Sequence, residues 1–311
     1  MPLVSLMLSQ LESELGMEPP LLSRARRGGP KPLSRGPILV GAGDSYAAAL
    51  CASYLSPSDS LVLDPYELIA APELARSRTV VVISVSGRTR SNVAAARSVR
   101  KIARARIGVT SNEASPLAKE VDQAILLPFE HRPRSPGMAS FALSLAYCAK
   151  LLSVDLRLDF GRVHSAGRRL SRGLKFSRAG STFFLGNRAL YAVSMYAAAK
   201  LYEYFGASAQ YQRLEEFSHM ELFSLRARDA VNIFGGSDPL KIGGTLARSL
   251  KAAGYESCLA AADRATAVEN VFTAVFATQF AVARWIGETR TKRPYILDAG
   301  KKLSVSDSMI Y

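Results

Sequence analysis

The apolar blocks in this chain are mostly short and β-branched, and a turn rich in glycine or serine follows several of them at once. Residues 79–83 (TVVVI) are the clearest case. They show no apolar–polar alternation, as a strand covered on both faces of a parallel sheet requires. Residues 38–40, 60–63, 106–110 and 124–127 read as four further strands. Between them the apolar spacing becomes helical, over 46–55, 92–100 and 111–121, so 38–128 alternates strand and helix and predicts an α/β, doubly wound parallel sheet. Two long helices are expected next, over 138–152 and 157–176. The pattern then restarts with strands at 182–185 and 231–234 and helices at 190–205 and 241–253. Laid side by side, ILVGAGDSYAAAL pairs with FFLGNRALYAVSM, and VVVISVSGRTRSN with AVNIFGGSDPLKI. The pairing predicts an internal duplication, two parallel-sheet halves of one ancestral unit. Ahead of them, residues 1–16 form an amphipathic helix with Leu3, Met7, Leu11 and Leu15 on one face, whereas 19–37 is too rich in Pro, Gly and Arg for regular structure. The expected division is 1–37, 38–176 and 177–311.

Length supports that division, because 311 residues exceed one ordinary domain. Hydrophobic residues at 48% and charged ones at 21% fit a globular chain and not a disordered one. The longest apolar stretch, 265–287, is broken by Glu269, Asn270, Gln279 and Arg284 and reads as a buried helix, so no membrane crossing is expected. The N-terminus has no basic start before its apolar part, which argues against a signal peptide and for the cytoplasm. Cys51, Cys148 and Cys258 form no CxxC pair; a core role is expected of them, with neither disulfides nor metal. The net charge of +14 invites a nucleic-acid reading, but the basic residues are spread along the chain and no nucleic-acid motif appears. A locally positive pocket for a small anion needs no more.

Candidate chemistry gathers in the loop after 79–83, Ser84-Val85-Ser86-Gly87-Arg88-Thr89. Its hydroxyls can donate to phosphate oxygens, Gly87 lets backbone approach closely, and the helix behind it offers free N–H groups and a positive dipole end. Ser and Thr also cap helices for structural reasons alone, so both readings stand. No GKS or GKT follows and GxGxxG is missing, so a monophosphate ester suits the loop better than a nucleotide. Gly43 and Ser45 lie at a second strand-to-helix turn. The corresponding loop of the second half, Gly235-Gly236-Ser237, lacks the hydroxyls, which predicts one phosphate site, in the first half. Glu203 falls in the last turn of a helix, where a carboxylate opposes the dipole; it either has a special partner or simply meets water or Lys200. His219 stands among Glu215 and Glu216 and suits a proton shuttle. His131 and His164 have less to recommend them.

These residues carry a resemblance. ISVSGRT resembles the phosphate loop of the sugar isomerase (SIS) domain family, GAGDSYAAA resembles its first glycine turn, and the duplicated layout is similar to that of its two-domain enzymes. The likeness extends to the isomerase half of glucosamine-6-phosphate synthase and to archaeal phosphosugar isomerases. The family's KLKE precedes GELKHGP as Lys200-Leu201-Tyr202-Glu203 precedes LEEFSH; PGMAS (136–140) matches a segment whose serine, here Ser140, contacts the sugar; and RPYILDAGKKLSVS resembles its tail, placing Lys301, with Lys302 as the alternative, on the active-site lysine.

The resemblance implies that Ser45, Ser84, Ser86 and Thr89 hold a phosphate with Gly43 and Gly87 in the turns. It further implies that Glu203 moves a proton between C1 and C2 of an open-chain sugar, that His219 from a neighbouring subunit assists ring opening, and that Lys301 closes over the substrate. A phosphosugar isomerase working as a homodimer, with no cofactor and no metal, is expected. A glucosamine-6-phosphate deaminase or a non-catalytic sugar-phosphate sensor is the alternative. Val85 replaces the family's glutamine and removes one donor, and glutamine-dependent synthesis is not expected of this chain.

Overall fold

The computed structural model describes residues 3–33, 36–129, 136–236, 240–261 and 265–310. Two compact units emerge: residues 20–157 with 299–311, called the first unit, and residues 1–19 with 158–298, called the second. The expected boundaries therefore move. Residues 158–176 group with the second half, and the C-terminal segment, expected there, groups with the first.

Helix α1 (Leu3–Gly28) runs straight through Pro19 and Pro20, correcting the irregular lead-in expected from residue 19. Each proline removes a helical hydrogen bond, at a cost of ~3 kcal/mol in a helix interior. The apolar seam compensates, for Met7, Leu11, Leu15, Leu22 and Ala25 keep helical spacing across the prolines and all are buried, each large side chain contributing ~1.5–3 kcal/mol.

The first unit then follows the expected alternation: β1 (Ile38–Val40), α2 (Asp44–Leu55), β2 (Leu61–Leu63), α3 (Pro65–Ala70), β3 (Thr79–Ile83), α4 (Arg90–Ser98), β4 (Ala105–Thr110), α5 (Pro116–Glu120), β5 (Gln123–Leu126) and α6 (Ala139–Leu151). Its strands form one parallel sheet in the order β2-β1-β3-β4-β5. Ile38, Val40, Val80 and Val82 pack on one face against Ala95, Ala96 and Leu117. Helix α3 went unread in the sequence although Asp64 and Glu67 form a reciprocal capping box at its start.

In the second unit come α7 (Phe160–Leu170), β6 (Thr182–Leu185), α8 (Ala189–Phe205), β7 (Ala209–Gln212), α9 (Leu214–His219), β8 (Ala230–Phe234), α10 (Ile242–Ala252), β9 (Glu256–Ala260) and α11 (Ala267–Thr289). Its four-stranded parallel sheet has the order β7-β6-β8-β9. Phe183, Leu185, Val231 and Ile233 pack there against Leu214 and Phe217. Helix α11 packs on α7 and α8. A last helix, α12 (Lys301–Ile310), belongs to the first unit and contributes no buried residue. Among the described residues no helix is long and apolar enough to cross a membrane.

Candidate active site

The order β2-β1-β3-β4-β5 has its topological switch between β1 and β3: from β1 the chain moves outward to β2, and from β3 it moves the other way to β4. Ligands of open α/β sheets bind beyond the carboxyl ends of strands at such a point. The two loops leaving these paired strands are 41–43, which carries Gly43 and leads straight to Ser45 in the first turn of α2, and 84–89, which carries Ser84, Ser86 and Thr89.

The second loop is held from behind. Ser84 N–H donates to Val109 O (3.0 Å) and Gly87 N–H to Ser84 O (2.9 Å). Leu117 N–H donates to Gly87 O (3.0 Å). Thr110 Oγ1 and Ser111 Oγ both donate to Val85 O. Gly87 has φ +64°, and a Cβ there would stand 2.2 Å from Ser115 Oγ. Glycine is thus required twice, for its backbone angle and for the close approach. Ser84 Oγ lies 3.4 Å from Thr89 Oγ1, and Ser86 Oγ accepts from Arg88 N–H at 3.3 Å. Thr89 is the N-cap residue of α4 but makes no side-chain cap bond. The purely structural alternative, in which Thr89 caps the helix, is therefore not realised, and the first-turn N–H groups have no side-chain cap.

At the first loop, Gly43 adopts φ 57° and ψ −128°, a conformation open mainly to glycine, and α2 likewise starts without a side-chain cap. Ser45 N–H donates to Ala42 O (3.2 Å). A Cβ on Gly137 would stand 2.5 Å from Ser140 Oγ and 3.2 Å from Asp44 Oδ2. Gly137 therefore lets the starts of α2 and α6 converge, bringing Ser140 next to the turn that holds Ser45; both serines are buried. Helix α12 lies against α4, with Arg90 Nη1 donating to Ser308 O (3.5 Å). Lys301 and Lys302 begin α12, where positive charge opposes the dipole by ~0.3–1 kcal/mol.

Glu203 and His219 belong to the second unit. Glu203 Oε2 lies 2.5 Å from Lys200 Nζ, and that lysine is 0% exposed against 25% for Glu203. The pair anticipated as a possible surface contact is thus a buried ammonium with a carboxylate at its edge. Lys200 also lies over the Tyr196 ring, 5.0 Å from its centroid, and Gln279 Nε2 donates to Tyr196 Oη at 3.3 Å. His219, by contrast, is 72% exposed, with its Nε2 3.3 Å from Glu215 Oε1. His131 lies outside the described residues, and burial pushes the His164 pKa down. Burial pushes the Cys51 and Cys148 thiols up, the latter to about 12, so both are poor nucleophiles. Among the described residues no group of three His, Cys, Asp or Glu side chains could hold a metal.

Residues 37–154 match the SIS domain family, a span that holds both switch-point loops and Ser140. The fold of the whole chain is similar to several solved structures. One is tagatose-6-phosphate ketose/aldose isomerase from Escherichia coli, at TM-score 0.72 and 18% identity, covering 91% of this chain and 94% of that one. Glucosamine-6-phosphate deaminase from Thermotoga maritima is another, at TM-score 0.72 and 16% identity, with 89% and 92% covered. The C-terminal domain of glucosamine-fructose-6-phosphate aminotransferase from Francisella tularensis gives TM-score 0.67 at 18% identity, with 89% and 96% covered. A search of curated proteins found no match.

Proposed function

We propose that this SIS-domain protein is a phosphosugar isomerase that interconverts aldose and ketose hexose phosphates through an enediol(ate). The observation that carries the reading is the loop 84–89 at the switch point. It presents three hydroxyls, a glycine at which any side chain would be strained and a helix start without a side-chain cap, all suited to a phosphate dianion. In this reading Ser84, Ser86 and Thr89 hold the phosphate with Ser45, while Gly43 and Gly87 shape the turns and Ser140 contacts the sugar.

Aldose–ketose interconversion needs a base that serves two adjacent carbons and positive charge near the developing enediolate. Glu203 is the proposed base, its carboxylate held ready by Lys200; Lys301 is the proposed cation, closing over the substrate with the C-terminal segment. His219, too exposed in a single chain to be a buried shuttle, is assigned to ring opening in a homodimer. Mixing Glu203→Gln and His219→Ala proteins, each inactive alone, should then restore part of the activity.

We also read the halves as products of a duplication, which the shared strand order supports. So does the start of α8, where Arg188 (φ 52°, ψ −127°) repeats the backbone of Gly43 at the start of α2.

The deaminase reading is kept because its fold likeness matches that of the isomerase and the proton transfer is common to both. Incubation with fructose 6-phosphate and, separately, glucosamine 6-phosphate, followed by NMR and ammonia release, tests the proposal. Aldose phosphate without ammonia, lost in Glu203→Gln, is the expected result. Ammonia from the amino sugar would move the assignment to a deaminase, and binding of either without turnover would leave a sensor.

A further inference from the structure

A lysine ammonium removed wholly from water loses several kcal/mol of solvation, which its surroundings must return. Lys200 is such a group, and two of its compensations are visible. One is the Glu203 carboxylate; the other is the face of Tyr196, whose negative quadrupole attracts a desolvated cation. Tyr196, Lys200 and Glu203 recur at i, i+4 and i+7, so they share one face of α8. Tyr196 is itself fully buried, and its hydroxyl accepts from Gln279, a fully buried residue of α11.

Behind Gln279 lies Glu18 of α1, fully buried. Burial first and the charge of Glu14 second hold its carboxyl well above the usual range, with Gln279 pulling the other way. Both Glu18 oxygens are buried, and Gln279 is the hydrogen-bonding side chain that acts on them. A line of buried polar groups thus runs from α1 through α11 to α8 within one compact unit. Such lines cost stability wherever they are incompletely paired.

We propose that Tyr196 and Gln279 are positioning residues for Glu203: Gln279 fixes the tyrosine ring, the ring fixes Lys200, and Lys200 fixes the carboxylate that moves the proton. The inference rests on the reading of Glu203 as the base. Its mechanism is electrostatic and geometric. If the ring is free to shift, the ammonium is no longer held at 2.5 Å, and a carboxylate with a weaker cationic contact becomes a group of higher pKa.

The test uses Tyr196→Phe, Gln279→Met and the double variant, each checked for wild-type melting behaviour. Two readouts are taken: the pH profile of kcat/KM with fructose 6-phosphate, and the titration of the Glu203 carboxyl by carbon-13 NMR, assigned through Glu203→Gln. Each single variant should lower kcat about five- to tenfold, the worth of one hydrogen bond, with KM little changed. The acid limb and the Glu203 titration should both move to higher pH. The double variant should be no worse than either single one, because both break the same contact. Folded variants with an unmoved Glu203 titration and an unmoved acid limb would overturn the inference. Should the wild-type protein turn over no sugar phosphate, the isomerase reading fails, and the carboxyl titration alone decides the positioning. Should Tyr196→Phe not fold, Gln279→Met carries both readouts.

Discussion

A methyl group added at Gly87 would meet Ser115 Oγ at 2.2 Å and Thr110 Oγ1 at 2.9 Å, at a backbone angle that itself costs an L-residue ~1–2 kcal/mol. Gly87→Ala should therefore lower Tm and weaken ligand binding together. Ser84→Ala separates the two effects. It deletes one donor to a charged oxygen, worth ~1.5–3 kcal/mol, and should raise KM for a sugar phosphate about 10- to 100-fold while Tm stays near wild type. The loop was legible in the sequence because its chemistry depends on residue types at fixed spacing after a strand. The buried state of Lys200 was not. Three residues before Glu203 on a helix, it has the signature of a surface ion pair, and only the tertiary packing around α8 removes it from water. In the sequence Gln279 is merely a polar interruption of an apolar helix, whereas its place beside Tyr196 comes from the fold.

Strands β1, β3, β6 and β8 lie inside their sheets, and the apolar runs that mark them follow from burial on both faces. The sequence did not disclose β7 and β9, AQYQ and ESCLA, because each is a sheet edge with exposed positions and so lacks an apolar block. Helix α1 was legible only to its prolines, since local propensity hides a seam that tertiary burial maintains. That helix also carries a testable linkage. The unfolded chain releases the Glu18 proton in the ordinary carboxyl range, while the native state retains it. The unfolded state thus binds fewer protons once pH passes that range, and native stability falls as pH rises toward the elevated native value. Glu18→Gln keeps the shape and removes the penalty. Its gain in Tm over wild type should be larger at about pH 8 than at about pH 4; an equal gain at both would mean that Glu18 ionises freely in the native protein.

At the scale of the whole molecule, both sheets share one strand order, yet their switch-point loops differ. The first unit presents Ser84, Ser86 and Thr89, whereas the second presents Gly186-Asn187-Arg188 and Gly235-Gly236, with the rest of that loop outside the described residues. The loop chemistry thus favours the first unit as the one that binds the phosphate. The central claim is proton transfer at the carbons next to a sugar carbonyl, and the direct measurement is proton NMR of fructose 6-phosphate incubated with the protein in heavy water. The account predicts solvent deuterium entering at C1 or C2 together with aldose phosphate, both abolished in Glu203→Gln although the sugar phosphate still raises that variant's Tm. A sugar phosphate that binds, keeps all its carbon-bound protons and stays a ketose would contradict it.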